Sequence, residues 1–313
     1  MIPAYNCSVF LPDAIQSVLA QDMGEDMMQI EVVDDCSTDA DVEALVKRVG
    51  KGRVLYYRQE KNVGSLRNFE TCINRALGYH IHLLHGDDRV KPGYYQHIQS
   101  LFIKYPKAGA AFCAWNNIDE ENNILRRSAI EVGKPDLLVG WLPKLAEHTH
   151  IQYVAITVKR ETYEKLGSFY GVTYGEDWEM WARVAREYPI AYTPEILAEY
   201  REHKSSISSH SFLTGKNISD IAKVINTIKG YLPKKSQKRI SRLAKKNYMH
   251  WAFYYTQDLW VQTRNLKLVY NQMKEILKVY IDLKLVIMLF IFGLMILIDL
   301  FFRVPKKLYH LIR

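Results

Sequence analysis

Two adjacent carboxylates, Asp87 and Asp88, follow a short apolar run and could hold a divalent metal ion. Residues 79–84 predict a buried strand, and Gly86 allows the turn in which the chain leaves the sheet. In an open α/β sheet, ligands bind beyond the carboxyl ends of the strands, where this pair would lie. Carboxylate oxygens suit Mg²⁺ or Mn²⁺, which bind through one or two carboxylates and the phosphates of a substrate. The alternative is a loop in which both acids cap the helix that follows Pro92.

The segments that position this pair alternate between strand and helix patterns. Strands are predicted at residues 1–6, 29–34, 53–58 and 79–84, with helical patterns between them. This order predicts an α/β fold with a mostly parallel, right-handed, Rossmann-like sheet and flanking helices. The first strand is short, and we expect apolar residues ahead of Ile2 to complete it.

The chain after Pro92 is less regular. A helix is predicted at residues 137–147, and a second helix opens at Glu176 and Asp177. Residues 190–200 predict a strand that Pro194 limits to a sheet edge or a break. From Lys216 onward only helical patterns occur, so we expect three regions: 1–215, 216–282 and 283–313.

Charge separates these regions. Of the 42 Lys and Arg residues, 19 lie from Lys216 onward, together with only 5 of the 34 Asp and Glu residues. The formal net charge of +8 therefore belongs wholly to the C-terminal third. A basic region of this kind is compatible with nucleic acid, with anionic lipid or with simple solvation.

An apolar run near the C-terminus indicates which of these partners is favoured. Residues 285–302 contain one acidic residue, Asp299, and are long enough to be a candidate membrane span. Basic residues flank the run on both sides, which favours an anionic membrane surface and disfavours nucleic acid. Apolar residues all round the helix argue against a purely in-plane amphipathic helix, although Asp299 and the short length keep that alternative open. Four widely spaced cysteines without metal-site spacing fit a cytoplasmic domain.

Six polar motifs stand at strand ends or helix starts, and together they resemble the inverting nucleotide-sugar glycosyltransferases of family 2, which have the GT-A fold. The motifs are IPAYN at 2–6, VVDDCSTD at 32–39, NVGSLRN at 62–68, LLHGDD at 83–88, GEDWEMWAR at 175–183 and YREHKSSIS at 200–208. They occur in the family's order and cover about residues 1–210. The resemblance implies a GT-A domain that uses a nucleotide-sugar donor.

The resemblance also implies which residues hold the nucleotide. These are Pro3, Tyr5, Asp35, Arg67 and Asp87. Asp35 would accept the N3 proton of a uracil ring, and Tyr5 would pack against that ring. Arg67, at a helix start, would face the diphosphate. The alternatives are that Asp35 caps a helix and that Arg67 lies on a solvated helix face.

A second implied set comprises the metal ligands and the catalytic base. Asp88 and His203 would hold Mn²⁺ or Mg²⁺, and His85 departs from the acid common at that position. Asp177 would be the catalytic base and Glu176 its neighbour, which orients the acceptor or raises the pKa of Asp177. The alternative is that both acids only favour the helix dipole.

Further details of the sequence bear on the acceptor. Two tryptophans, Trp178 and Trp181, form either an acceptor-sugar platform or part of the core. The QxxRW string of processive synthases is absent from the sequence, so we expect transfer of one sugar to a lipid-linked or cell-envelope glycan at the inner (plasma) membrane, with the catalytic domain in the cytoplasm. A non-catalytic nucleotide-sugar-binding membrane scaffold and a nucleotidyltransferase are the alternatives.

Overall fold

The computed structural model describes residues 1–203 and 207–302, without the side chains of residues 207–210 and 302. The predicted Ser205 and Ser206 positions and the tail from residue 303 lie outside the described residues. The chain divides into two compact units: Met1–Leu145 with Thr149–Lys204, and Ala146–His148 with Ser205–Arg313. The predicted functional division into three regions stays a prediction.

A parallel three-stranded sheet forms the first part of the N-terminal unit. Its strands, in spatial order, are β1 (Ile2–Ala4), β2 (Glu31–Asp34) and β3 (Leu55–Arg58). The connecting helices are α1 (Leu11–Leu19), α2 (Val42–Gly50) and α3 (Ser65–Arg75). Apolar side chains of these elements, such as Ile15, Val32 and Leu45, are buried in one core, so the predicted strand and helix order is confirmed here.

A mixed sheet follows. Its spatial order is β4 (His80–His82), β9 (Ile156–Lys159), β6 (Ala110–Ile118), β10 (Ile190–Arg201) and β5 (Arg89–Val90), with β7 (Ile124–Arg127) on β6 and β8 (Asp136–Leu138) on β10. The pair of β6 and β10 is parallel, and the other pairs are antiparallel. Helices α4 (Tyr94–Lys104), α5 (Leu142–Leu145), α6 (Arg160–Leu166) and α7 (Glu176–Glu187) connect these strands.

The two sheets join through β1. The backbone N–H groups of Leu84 and Gly86 donate to the carbonyls of Met1 and Pro3, each at 3.0 Å. This pairing continues past the end of β4, so the segment that leads into Asp87 runs beside β1. It sets the two carboxylates at the carboxyl end of the first strand, where the sequence places them.

One expectation differs from the structure, and another is confirmed. Residues 137–147 form the end of β8 and the short α5 in place of one helix. Strand β10 is a central strand, and its pairing with β6 shifts register between Thr193 and Ile196, around Pro194. The sequence therefore placed the break correctly, because a proline in a central strand requires a bulge at which no ladder hydrogen bond is lost.

The C-terminal unit is helical. Its helices are α8 (Ile207–Thr214), α9 (Lys216–Tyr231), α10 (Lys234–Thr263), α11 (Leu266–Val279) and α12 (Leu283–Phe302). Phe253, Trp260, Ile276 and Phe292 are buried together in its core. Among the described residues, α12 is the one helix long and apolar enough to cross a membrane.

Candidate active site at the strand ends

Hydrogen bonds connect the loops at the carboxyl ends of β1 and β2. The Asn6 N–H donates to Ser37 Oγ at 2.9 Å, and the Thr38 N–H donates to Asn6 Oδ1 at 2.8 Å. Asn6 adopts a positive φ of 47°, which asparagine tolerates better than most residues. The loops after the first two strands therefore form one hydrogen-bonded rim.

Gly86 is required beside this rim because there is no space for a side chain, in addition to the turn that the sequence predicts. A Cβ atom at this position would lie 2.7 Å from Cys7 Sγ and 3.3 Å from Leu11 Cδ1. Only glycine lets residues 85–88 approach the start of α1 this closely. The motif LLHGDD thus needs its glycine for close packing.

Asp35 anchors the third loop of the rim. Its side-chain oxygens accept hydrogen bonds from the backbone N–H groups of Val63 (2.7 Å) and Gly64 (3.0 Å). Burial raises the pKa of Asp35, and these two hydrogen bonds oppose the shift. The helix-capping alternative is wrong, because the cap of α2 is Asp41, whose carboxylate accepts from the Ala44 N–H. Each carboxylate oxygen has two lone pairs, so Asp35 retains acceptor capacity for a ligand.

The other predicted nucleotide-binding residues lie around these loops. Pro3 is buried in β1, and the side chain of Tyr5 is 47% exposed beyond it. Arg67 lines an open depression of about 540 Å³ together with Val63, which is bonded to Asp35. Its guanidinium contacts Glu70 at 3.1 Å and is largely exposed, so the solvated-face alternative for Arg67 stays open.

Asp87 is paired with the predicted metal ligand His203. The N–H at His203 Nε2 donates to Asp87 Oδ2 across 2.9 Å, although 116 residues separate them. Burial alone would raise the pKa of Asp87, but the hydrogen bond with His203 and the charges of His85 and His203 lower it below its usual value. The last strand thus brings His203 to the carboxylate pair.

Asp88 is held from the other side by a residue that sequence reasoning missed. The backbone N–H of Arg201 donates to Asp88 Oδ1 at 2.8 Å, and Arg201 Nε donates to the Asp87 carbonyl at 2.8 Å. The Arg201 side chain is fully buried and also binds the Asp119 carbonyl and Asn122. The sequence signal that could have identified Arg201 is its position two residues before the predicted site residue His203. The alternative in which Asp87 and Asp88 cap a helix is wrong, because α4 begins after Gly93 without a side-chain cap.

The carboxylate pair fits a divalent ion. Asp88 is 1% exposed, and its Oδ2 has no hydrogen-bond partner among the described residues. The same holds for the buried Nε2 atom of His85. Ligand atoms of His85, Asp87 and Asp88 lie within 4.8 Å of one another. Burial and the charge of Asp87 raise the pKa of Asp88 well above its usual value, so an ionised pair needs a cation there.

Glu176 and Asp177 form the first turn of α7, which follows Gly175 in the left-handed region at φ 83°. Burial raises the pKa of Asp177 to about 6, and the Trp178 N–H, which donates to Asp177 Oδ1 at 2.7 Å, opposes this shift. A carboxylate with this pKa is ionised at neutral pH and is basic enough to accept a proton. Both acids also lie at the N-terminus of α7, where the helix dipole favours negative charge. The alternative that they only stabilise the helix therefore stays open.

Tyr153 connects α7 to the segment that carries the carboxylate pair. Its ring lies against His85 (centroids 4.5 Å apart), and its hydroxyl donates to Glu176 Oε1 at 3.2 Å. His85 in turn stacks on Phe69 of α3 at 4.9 Å. Three chain segments that are distant in sequence therefore meet at one aromatic cluster. The sequence contains no local signal for Tyr153.

The two tryptophans of α7 belong to the core. Trp178 and Trp181 are each 1% exposed. The indole N–H of Trp178 donates to the Leu145 carbonyl at 2.7 Å, and Trp181 packs edge-on against Phe169. The platform alternative is therefore wrong, because neither ring has an exposed face on which a sugar could stack.

Comparisons with known proteins identify the family. A family model described as glycosyl transferase family 2 matches residues 1–180. An uncharacterized glycosyltransferase of Rickettsia typhi is 24% identical and aligns over 67% of this chain and 65% of its own length. A chondroitin synthase of Escherichia coli is 27% identical, but the match covers 40% of this chain and 18% of the synthase.

Solved structures support the fold independently. The crystal structure of residues 1–349 of TarS from S. aureus, in complex with UDP-GlcNAc, matches with a TM-score of 0.66. The match covers 88% of this chain and 78% of TarS 1–349, at 12% sequence identity. TarS is a GT-A glycosyltransferase, and the predicted GT-A fold is thereby confirmed.

Proposed function

The chain belongs to glycosyltransferase family 2, and we propose that it moves one sugar from a UDP-linked donor, with inversion, to a hydroxyl group of a lipid-linked or cell-envelope glycan. The observation that carries this proposal is the buried, unpaired Oδ2 of Asp88, next to the Asp87–His203 pair. A buried carboxylate oxygen without a partner is costly unless a ligand completes it. A metal-bound nucleoside diphosphate is such a ligand.

The uracil ring would bind at the rim of the first three strands. Asp35 is fixed there by two backbone amides, so its carboxylate is held in place to accept a hydrogen bond from the N3–H group of uracil. Tyr5 offers an exposed ring for stacking, and Pro3 shapes the floor. Arg67 would turn from Glu70 to the phosphates, since a guanidinium binds phosphate oxygens more strongly than a solvated carboxylate. A fixed acceptor favours UDP over nucleotides whose bases lack this donor.

The diphosphate would lie against Asp87, Asp88 and His203. A divalent cation, when bound there, supplies Lewis-acid stabilisation of the negative charge on the leaving diphosphate. Asp87 and Asp88 provide the oxygen ligands, and His203 lies within hydrogen-bonding distance of Asp87. The Arg201 side chain fixes the turn that carries both acids. The hydrogen bonds of Arg201 with Asp87, Asp88 and the Asp119 carbonyl keep the ligand oxygens in place before the donor arrives.

Asp177 would remove the proton from the acceptor hydroxyl as that oxygen attacks the anomeric carbon. Inversion requires a base on the face opposite the leaving group, and α7 supplies its carboxylates from a separate segment of the chain. Glu176 is oriented by the Tyr153 hydroxyl and would position the acceptor. The pKa of about 6 leaves Asp177 ionised at cytoplasmic pH.

The composition of the C-terminal unit supports the proposed acceptor and location. It combines a strongly basic composition with the apolar α12, which would hold the enzyme at the cytoplasmic face of a bacterial inner membrane. Anchoring raises the effective concentration of an amphiphilic acceptor. A lipid-linked glycan therefore suits this enzyme better than a soluble sugar.

Calorimetric titration with UDP, GDP, CDP and ADP, each with and without Mn²⁺, tests the donor site directly. We expect UDP to bind only with Mn²⁺, and Asp88→Ala to weaken that binding at least tenfold. The matched control is Glu164→Ala, which removes an exposed carboxylate of α6 and leaves binding unchanged. A folded protein that binds none of the four diphosphates would contradict the proposal and favour the scaffold alternative.

A further inference from the structure

Helix α12 has two distinct faces. Leu285, Phe292, Ile296 and Asp299 are buried, at the spacing of a single helix face. The exposed apolar residues of the helix are Leu283, Val286, Ile287, Phe290, Ile291, Leu294, Leu297, Ile298, Leu300 and Phe301. The helix thus packs within its unit along one side and presents a continuous apolar surface on the other.

The packed face lies beside α10, as three contacts indicate. His250 Nε2 lies 3.1 Å from Asp282 Oδ2, just ahead of α12. The rings of Phe253 and Phe292 are 5.7 Å apart. Near the far end, the Arg264 guanidinium forms an ion pair with Asp299 at 2.5 Å. At about 1.5 Å per residue, the segment from Asp282 to Asp299 is ~25 Å long, close to the thickness of a bilayer core.

This packing is incompatible with α12 crossing a bilayer in the arrangement that the structure has. The neighbouring stretch of α10 carries His250, Gln257 and Asp258, and Arg264 follows directly after it. Among the described helices, α10 is not apolar enough to be a span. If α12 crossed the membrane, this stretch would enter the hydrocarbon beside it. Charged side chains are costly there.

We propose that α12 lies in the plane of an anionic bilayer and inserts its exposed face into one leaflet, while its packed face stays on α10. Such a helix can be apolar all round, because protein covers one side and lipid the other. Lys284 lies at the start of the helix, and exposed Lys267 and Lys278 belong to the adjacent α11. These charges suit anionic headgroups at the depth of an in-plane helix. The inference deepens the membrane location in the proposed function and is independent of the sugar chemistry.

Tag accessibility in sealed vesicles distinguishes an in-plane helix from a span. The full chain, with one epitope tag at each terminus, is bound to the outside of phosphatidylglycerol-containing vesicles or recovered in inside-out membrane vesicles. An in-plane α12 leaves both tags accessible to protease on the same side. A C-terminal tag protected inside the vesicles, with the N-terminal tag outside, would overturn the proposal in favour of a span.

Vesicle flotation tests the inserted face. We expect Phe290→Asp with Leu294→Asp to reduce binding to anionic vesicles about 100-fold, and Lys284→Gln to reduce it about fivefold. The matched control is Leu77→Asp with Ile103→Asp, two exposed apolar residues of the N-terminal unit, which leaves binding unchanged.

Other outcomes separate this proposal from the donor site. If the folded wild-type chain does not bind anionic vesicles, the in-plane proposal is wrong, even if the chain binds UDP with Mn²⁺. A lipid-free dimer that Phe290→Asp converts to monomers, with no flotation, would assign the face to a second copy of the chain. Flotation that survives without any binding of diphosphates would instead contradict the proposed donor.

Discussion

Replacing Asp177 with asparagine is the sharpest test of the proposed base. The substitution retains the volume of the side chain, and its carbonyl oxygen can still accept the Trp178 N–H that Asp177 accepts at 2.7 Å. It removes only the ability to take a proton. Because the proposed nucleotide-binding residues lie on other loops, we expect donor binding to be retained and transfer to fall by about 10²–10⁴-fold, the usual contribution of a general base.

The pH dependence follows from the same residue. Burial raises the pKa of Asp177 to about 6, and only the ionised form can act as a base. The wild-type rate of transfer should therefore fall as pH drops through about 6, tenfold per pH unit below that value. The Asp177→Asn rate should lack this acid limb, because asparagine does not titrate.

Stability should move in the opposite direction from activity. A carboxylate whose pKa is raised on folding binds its proton more tightly in the folded state, so the free energy of unfolding falls as pH rises from about 4 through 6. About two pKa units correspond to at most ~3 kcal/mol, and partial exposure of Asp177 reduces this to roughly 1–2 kcal/mol. An asparagine at this position does not ionise, so it avoids this loss of unfolding free energy. Asp177→Asn should thus be more stable than wild type by that amount at pH 8, with no difference below pH 4.

Three measurements check this reasoning: initial rates of sugar transfer from pH 5 to 8.5, calorimetric titration with UDP and Mn²⁺, and urea denaturation at pH 4 and pH 8. The matched control is Glu187→Gln, at the other end of α7, which should change none of them. Transfer by Asp177→Asn within a few-fold of wild type would refute the base assignment. A loss of activity together with a loss of stability at pH 8 would refute the argument from burial.

Three further predictions concern the residues that shape the site. Asp87→Asn should weaken binding of Mn²⁺ in the absence of nucleotide, measured by electron paramagnetic resonance; unchanged binding would exclude Asp87 as a ligand. Asp35→Asn leaves one of the amides of Val63 and Gly64 without an acceptor, so the urea midpoint should fall with a loss of ~1–3 kcal/mol, and UDP affinity should fall with it; unchanged UDP affinity would exclude contact with the base. Arg201→Lys cannot reproduce the forked contacts of the guanidinium and should lower the free energy of unfolding by ~2–4 kcal/mol, an expectation that an unchanged melting temperature would contradict.

The sequence predicted the parts of the fold whose signals are local. Alternation of short apolar runs with helical patterns places β1, β2 and β3 correctly, because each connection is a helix. β1 and β2 are buried, whereas β3 is partly exposed at the sheet edge. The helix that begins at Glu176 follows from its acidic first turn. Pro194 marks the register shift in β10, since a missing N–H cannot be hidden in a regular ladder.

Long-range packing explains what the sequence could not predict. The segment at 137–147 has apolar spacing typical of a helix, yet pairing with β10 draws its first residues into β8. Arg201 contacts Asp87 across 114 residues, and Tyr153 contacts His85 across 68. No periodicity connects such pairs, because the distance along the chain says nothing about which strand ends meet. The roles of Arg201 and Tyr153 became apparent only when the strands were in register.

Helix α12 illustrates how a sequence pattern can be correct while its interpretation depends on packing. Apolar residues all round a helix are usually taken as evidence for a span, because an in-plane helix in isolation needs a polar face toward water. In this protein the face that would meet water is covered by Phe253 and its neighbours on α10. Apolar residues on that side are therefore shielded from water by protein. Asp299 lies on the same side, where it pairs with Arg264. The all-apolar pattern is then what a helix between protein and lipid requires, and the position of its single acid identifies the side that faces protein.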